Sequence, residues 1–185
     1  MEKLLGLFAM TFLLGASARG EEVTFSFRGT VHEMDGEFLY LSGHPFELTF
    51  TFERTTDDGR PGDPESGSYV GALRSGALVV YNGQEYYRWE IGPGGQDNFI
   101  EVRNLPGADS FVASAALSGS IYENEIPAHF YVEWIDRDGV EFDGDGLPAT
   151  LEAASFEQRH VHLTFIGIRK HVYSTLGVVT SSSTP

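Results

Sequence analysis

The densest run of side chains able to do chemistry is Asp136-Arg137-Asp138-Gly139-Val140-Glu141-Phe142-Asp143-Gly144-Asp145-Gly146. Its five carboxylates, Asp136, Asp138, Glu141, Asp143 and Asp145, fall within ten positions, and the glycines between them let the backbone turn tightly. Calcium takes about six to eight oxygen ligands from loops of this kind, so the five form a candidate calcium site. The run is not an EF-hand. That loop needs oxygen ligands at its first, third and fifth positions, glycine at the sixth and glutamate at the twelfth. Counted from Asp136, the fifth position is Val140; counted from Asp143, the tail runs into Leu147-Pro148. The competing reading is an acidic hairpin loop in an acidic protein. Asp57, Asp58, Asp63 and Glu65 make a looser second cluster.

Three other groupings bear on function. His160-x-His162 puts two imidazoles on one face of a strand, a metal-binding geometry for which His129 or His171 could supply a third ligand. No acidic residue follows closely, as the first motif of a cupin would require, and the wet face of an amphipathic strand is the favoured explanation of the pair. Tyr81, Tyr86, Tyr87 and Trp89 cluster around Asn82-Gly83. Exposed aromatics there would stack on sugar rings, which makes Tyr86, Tyr87 and Trp89 candidate glycan-binding residues; core packing is the competing explanation. A glycoside hydrolase needs two carboxylates across a cleft. Glu90, Glu133 and Asp136 lie near aromatics, but their separation in space cannot be read from the sequence, so no catalytic residue is assigned. The sequence contains no G-x-S-x-G, no H-E-x-x-H and no phosphate-cradling glycine loop.

The elements that must carry these residues read as strands. In Phe46–Glu53, F-E-L-T-F-T-F-E, the apolar Phe46, Leu48, Phe50 and Phe52 alternate with Glu47, Thr49, Thr51 and Glu53. Period two is the signature of a half-buried strand; on a helix the four apolar groups would scatter around the circumference. Val23, Phe25 and Phe27 alternate in the same way, as do Phe130, Val132 and Trp134, and Val161, Leu163 and Phe165. The small-residue run Ser110–Ile121 is also a strand, because Phe111, Ala113 and Ala115 alternate. Thr55–Ser68 has no apolar residue and must be an exposed loop. Asn82-Gly83 has the residues of a type I′ hairpin turn, with Gln84–Ile91 returning from it. Leu147–Ala154 is the one plausible helical turn.

The chain opens on Met1-Glu2-Lys3, a short apolar run Leu4–Gly15, and Ala16-Ser17-Ala18. A basic start, a short apolar core and an A-x-A site predict a secretory signal peptide over residues 1–18, cleaved after about Ala18. The run is shorter than the ~20 apolar residues of a membrane span, so no membrane insertion is expected after cleavage. The chain of 185 residues has no cysteine, so its stability must come from a packed core rather than disulfides. A net charge of −15 repels phosphate backbones and anionic membranes, which argues against nucleic acid as a partner. No Asn-x-Ser/Thr acceptor is present.

Along the mature chain, Phe27-x-Gly29-Thr30-Val31 is followed by Phe50-Thr51-Phe52-Glu53 ahead of an acidic loop. Gly67-x-Tyr69, Asp145-Gly146-Leu147-Pro148, Leu163-Thr164-Phe165 and Val172-Tyr173-Ser174-Thr175-Leu176 come after. In these pieces the chain resembles small exported bacterial β-sandwich proteins of the PEP-CTERM type. Those proteins carry a Pro-Glu-Pro signal, an apolar helix and a basic tail at the C-terminus. Here the sequence reads Ser181-Ser182-Ser183-Thr184-Pro185 in that place, so the resemblance implies release rather than sorting to the envelope. It brings no catalytic residues with it.

The sequence therefore predicts an all-β, antiparallel, jelly-roll-like sandwich of about nine to eleven strands with at most one short helix. Residues 19–180 would form one domain and 181–185 a flexible end. The expected role is that of a secreted (or periplasmic) non-catalytic binding or structural protein, on extracellular polysaccharide and assisted by calcium. The alternative is a secreted polysaccharide-active enzyme, a glycoside hydrolase or lyase on the same sheets. A concave face lined by Tyr, Trp, Arg and two facing carboxylates would favour the enzyme; a flat polar sheet would favour binding.

Overall fold

The structure, a computed structural model, describes residues 20–34, 41–83, 85–93, 97–121, 125–167 and 172–183; of these, the side chains at 33, 34, 85, 86, 125, 167 and 172–183 are left undescribed. The signal peptide expected over residues 1–18 lies outside these residues. Ten strands follow one another: β1 (Glu22–Met34), β2 (Pro45–Glu53), β3 (Ser66–Val70), β4 (Leu73–Asn82), β5 (Glu85–Ile91), β6 (Phe99–Leu105), β7 (Ala108–Gly119), β8 (Glu125–Asp136), β9 (Gln158–Gly167) and β10 (Val172–Ser183). Every ladder between them is antiparallel. The all-β antiparallel expectation holds.

The strands form one continuous sheet in the order β3-β6-β7-β5-β4-β2-β1-β10-β9-β8, and a further ladder joins β8 back to β7. The eight strands from β7 through β5, β4, β2, β1, β10 and β9 to β8 thus close a hydrogen-bonded ring, with β6 and β3 branching from β7. One edge of β7 serves two partners: Ala108–Ser114 pair with β6, and Leu117–Gly119 pair with β5. The two layers are opposite walls of this single sheet, and the chain path is mostly up-and-down.

Alternation decides what fills the ring. Phe46, Leu48, Phe50 and Phe52 of β2 are all buried, while Glu47, Thr49, Thr51 and Glu53 face outward. Rings from opposite walls meet in the middle. Phe50 stacks on Phe111 at 6.2 Å and 13°, Phe27 meets Trp134 edge-on at 4.4 Å, and Trp89 meets Phe165 at 5.4 Å. Each such side chain contributes roughly 1.5–3 kcal/mol by leaving water, which is how a chain without disulfides holds together.

Residues 137–157 close one end of the ring. Leu147–Ala154 is not the helical turn expected from the sequence; only a 3₁₀ turn forms, at Ala153–Ser155. Extended backbone lets Leu147, Leu151, Ala153 and Phe156 all drop into the ring mouth, where Phe156 packs on Trp134 at 5.6 Å. One further expectation shifts. Asn82 pairs with Glu85, so the hairpin turn begins at Gly83, one residue late; this register sets Tyr87 rather than Glu85 opposite the buried Val80. Ser181, Ser182 and Ser183 pair with Arg28, Phe27 and Ser26 along the long β1 edge.

Candidate functional site

The outer faces of β6, β7, β8 and β9 carry a lattice fixed by strand register. One row runs Phe99, Ser114, Tyr131, His162; the next runs Glu101, Val112, Glu133, His160; the third runs Arg103, Ser110, Ile135, Gln158. The reversal that starts it is Pro106-Gly107, where Gly107 takes φ +81°, a conformation open to glycine. The β6–β8 members of these rows, Ser114 apart, line a groove of about 280 Å³, with Phe99, Val112, Ile135 and Leu105 in its apolar part.

Its polar groups are already engaged with one another. Arg103 Nε donates to Glu101 Oε1 at 2.6 Å, and Arg60 Nη1 reaches the same oxygen at 3.3 Å. Partial burial pushes the Tyr131 hydroxyl up from its ordinary pKa, and the charge of Glu133 and a hydrogen bond to it push the same way. Tyr131 therefore remains a phenol donor beside a carboxylate acceptor. The His162 ring lies 5.8 Å from the Tyr131 ring and 5.9 Å from His160. Burial lowers the His162 pKa, the neighbouring His160 adds to this, and Glu133 opposes it. Tyr131, a titratable group displaced from its usual behaviour and lining the groove, makes this face the candidate site. Beside them Ser114 Oγ donates to Asp97 O and sits 3.0 Å from His129 Nε2. His129 thus shares this face but is held by Ser114, not by the His160–His162 pair.

The hairpin aromatics fall elsewhere. Trp89 is wholly buried, with Nε1 donating to Ser120 O at 3.0 Å, so it has no face to offer a sugar. Tyr87 stacks on it at 6.1 Å against the core, and the Tyr86 side chain lies outside the described set. Inward alternation, the same rule that buries Val80 and Leu78, is the reason. Among the described side chains of this hairpin the exposed aromatic is Tyr81, whose hydroxyl donates to Glu47 Oε2 at 3.4 Å. It ends a second outer trough of about 480 Å³ over β2, β4 and β5, lined also by Thr49, Thr51, Arg88 and Glu90.

Of the five acidic-loop residues, Asp136 and Asp138 come together, joined by Glu157 from beyond the 3₁₀ turn; their ligand oxygens lie within 4.8 Å of one another. Asp136 is closed off from water and accepts from the backbone N–H of Asp138 (3.2 Å) and Val140 (3.1 Å). Burial acts to raise its pKa, but these donors, the Asp138 side chain and the Glu141 N–H outweigh it and hold the carboxyl below the usual range. Asp138 is raised by its hydrogen bond to Asp136, and Glu141 mainly by burial. Asp143 and Asp145 stand apart from the triad; Asp145 instead receives the Tyr69 hydroxyl on its carbonyl oxygen at 2.9 Å. In the other acidic loop, Asp58 and Asp63 accept from nearby backbone N–H groups and so shape turns.

The sequence reading missed Asp109. It occupies the inward register of Asp109, Phe111, Ala113 and Ala115, wholly buried, with Oδ2 accepting from Phe142 N at 2.8 Å. Extending that alternation back by one step is the signal that would have found it. No protein-family model, curated protein or solved structure matches this chain.

Proposed function

We propose that the chain is an exported, non-catalytic protein that binds a neutral extracellular polysaccharide on the outer face of β6–β9. The observation behind it is the groove holding Tyr131, Glu133, Glu101 and Arg103 beside an apolar strip from Phe99 and Val112. Sugars present hydroxyls around an apolar ring face, and this lining supplies donors, acceptors and apolar contact side by side. The strongly acidic surface favours an uncharged partner over an anionic one. Export rests on the Leu4–Gly15 apolar run and the Ala16-Ser17-Ala18 site.

Polysaccharide arrays probed with the mature protein test the reading. Binding should weaken at least tenfold in Tyr131→Phe and Glu133→Gln proteins that melt like the parent. A parent protein silent across the array sinks it.

A second reading, a glycoside hydrolase, draws on Glu101 and Glu133 flanking Val112 in one row. At ~4.8 Å per strand their backbones stand roughly 10 Å apart, a span on which an inverting pair could be built. Against it, Glu101 is held by two guanidinium groups, the reverse of the apolar setting a catalytic acid needs. Both tryptophans also lie in the core. Release of reducing ends from a bound polysaccharide, abolished by Glu133→Gln, would decide for the enzyme.

A further inference from the structure

The closed end of the ring holds two carboxylates that no cation among the described residues balances. Asp109 and Asp136 are direct partners across the β7–β8 ladder. Both sit at inward positions, in register with Phe111 and Trp134, so their Cβ atoms stand about 5 Å apart on the core side. Their exposures are 0% and 2%. Buried charges are ordinarily paired or bound to metal. The ion pairs found among the described residues involve neither carboxylate. Asp109 Oδ1, moreover, has no hydrogen-bond partner among the described residues.

We propose that the protein binds one calcium ion at this end, between Asp136, Asp138 and Glu157, with the buried Asp109 behind them. Two features carry the assignment. The three ligand oxygens lie within 4.8 Å of one another, and calcium at about 2.3–2.6 Å from each ligand spans such a set. The orphaned Asp109 oxygen belongs to the direct ladder partner of Asp136, on the adjacent strand and the same inward face, so an uncompensated buried acceptor stands immediately behind the set. Hard oxygen ligands on an irregular, glycine-containing loop suit calcium, which tolerates variable geometry, better than magnesium, which demands a near-octahedral one. This inference does not depend on the polysaccharide reading.

The test uses the full mature chain, stripped with EDTA and dialysed. Its melting temperature is followed against calcium chloride, against magnesium chloride, and against sodium chloride at matched ionic strength. A specific ion stabilises by mass action, so the melt should rise steadily with the logarithm of calcium concentration up to ~10 mM. Asp138→Asn and Glu157→Gln, both at exposed positions, should lose most of that rise, whereas Glu65→Gln in the other acidic loop should keep it. Calorimetric titration should give one site. A melt that calcium leaves unmoved overturns the proposal. So does an equal rise with sodium chloride, which would be screening of the acidic surface, or an undiminished rise in both loop variants.

Discussion

Asp109 and Asp136 face each other across the β7–β8 ladder, and each uses its carboxylate to hold the backbone of the same loop. Asp136 takes the N–H groups of Asp138 and Val140, and Asp109 takes that of Phe142. The loop that plugs the ring is thus fastened from two adjacent strands by groups that see almost no water. Removing a buried acceptor strands its donors at about 1–3 kcal/mol. Asp136→Ala should lose at least that much in urea denaturation, and Asp136→Asn, which keeps one acceptor oxygen, should lose less. Equal and negligible losses for both would show that the loop is held by Leu147, Leu151 and Phe156 alone.

The ring closes through its shortest ladder, three register pairs between β5 and β7. Trp89 Nε1 donates to Ser120 O, Arg88 N to Ser120 Oγ, and Ser120 N to Arg88 O, all within 3.1 Å. Gly119 fits this seam with φ +128° and no side chain; a Cβ there would stand 2.5 Å from Arg88 O. Gly119→Ala should destabilise the protein by roughly 1–3 kcal/mol through backbone strain. It should also speed amide exchange at Arg88 and Ser120 ahead of the rest of the sheet. Uniform exchange, or none gained, would count against β5–β7 as the weak seam.

That seam also shows where sequence reading stops. Alternation over Phe46–Glu53 states which side chains go inward, and they do, because a strand offers each residue one of two faces. The same rule applied to Tyr87, Trp89 and Ile91 already points Trp89 into the core and away from a sugar. Which edges meet is a different matter. Nothing in Leu117–Gly119 says that it pairs with Trp89–Ile91 beyond the end of β6, since ladder hydrogen bonds are made by backbone that every residue carries. The acidic cluster divides in the same way. Asp136 and Asp138 are neighbours in sequence and stay together, whereas Glu157 and Asp109 arrive through the loop's path and the β7–β8 register, which no local spacing encodes.

His162 sets a pH dependence near neutrality. Burial, with His160 beside it, lowers its pKa below the ordinary histidine value of about 6.5. The unfolded chain then binds this proton more readily than the folded one, so folding stability falls as pH drops. The contribution is present in full above the ordinary value and lost as pH falls through the lower, folded one. Urea midpoints measured from pH 7.5 to 5 should decline, and His162→Gln should decline less steeply. Parallel slopes would mean that other groups carry the effect.

Tyr69 gives the opposite slope at alkaline pH. It leaves β3 inside the ring mouth and donates to Asp145 O at 2.9 Å, tying the branch strand to the plugging loop. Burial first, then the charges of Asp145 and Asp58, pushes its hydroxyl up to about 12. Because the folded value lies above the unfolded one, near 10, the folded state keeps a proton that the unfolded chain gives up. Its contribution is therefore whole below pH 10 and disappears as the pH climbs towards 12. Ultraviolet titration of the native protein should show a phenol ionising well after the exposed ones, and Tyr69→Phe should remove that late component. The same variant loses one hydrogen bond, about 0.5–1.5 kcal/mol at neutral pH, and should unfold less steeply between pH 10 and 12. If the late component survives the substitution, the phenol behind it is another tyrosine, with Tyr131, also raised, the next to replace.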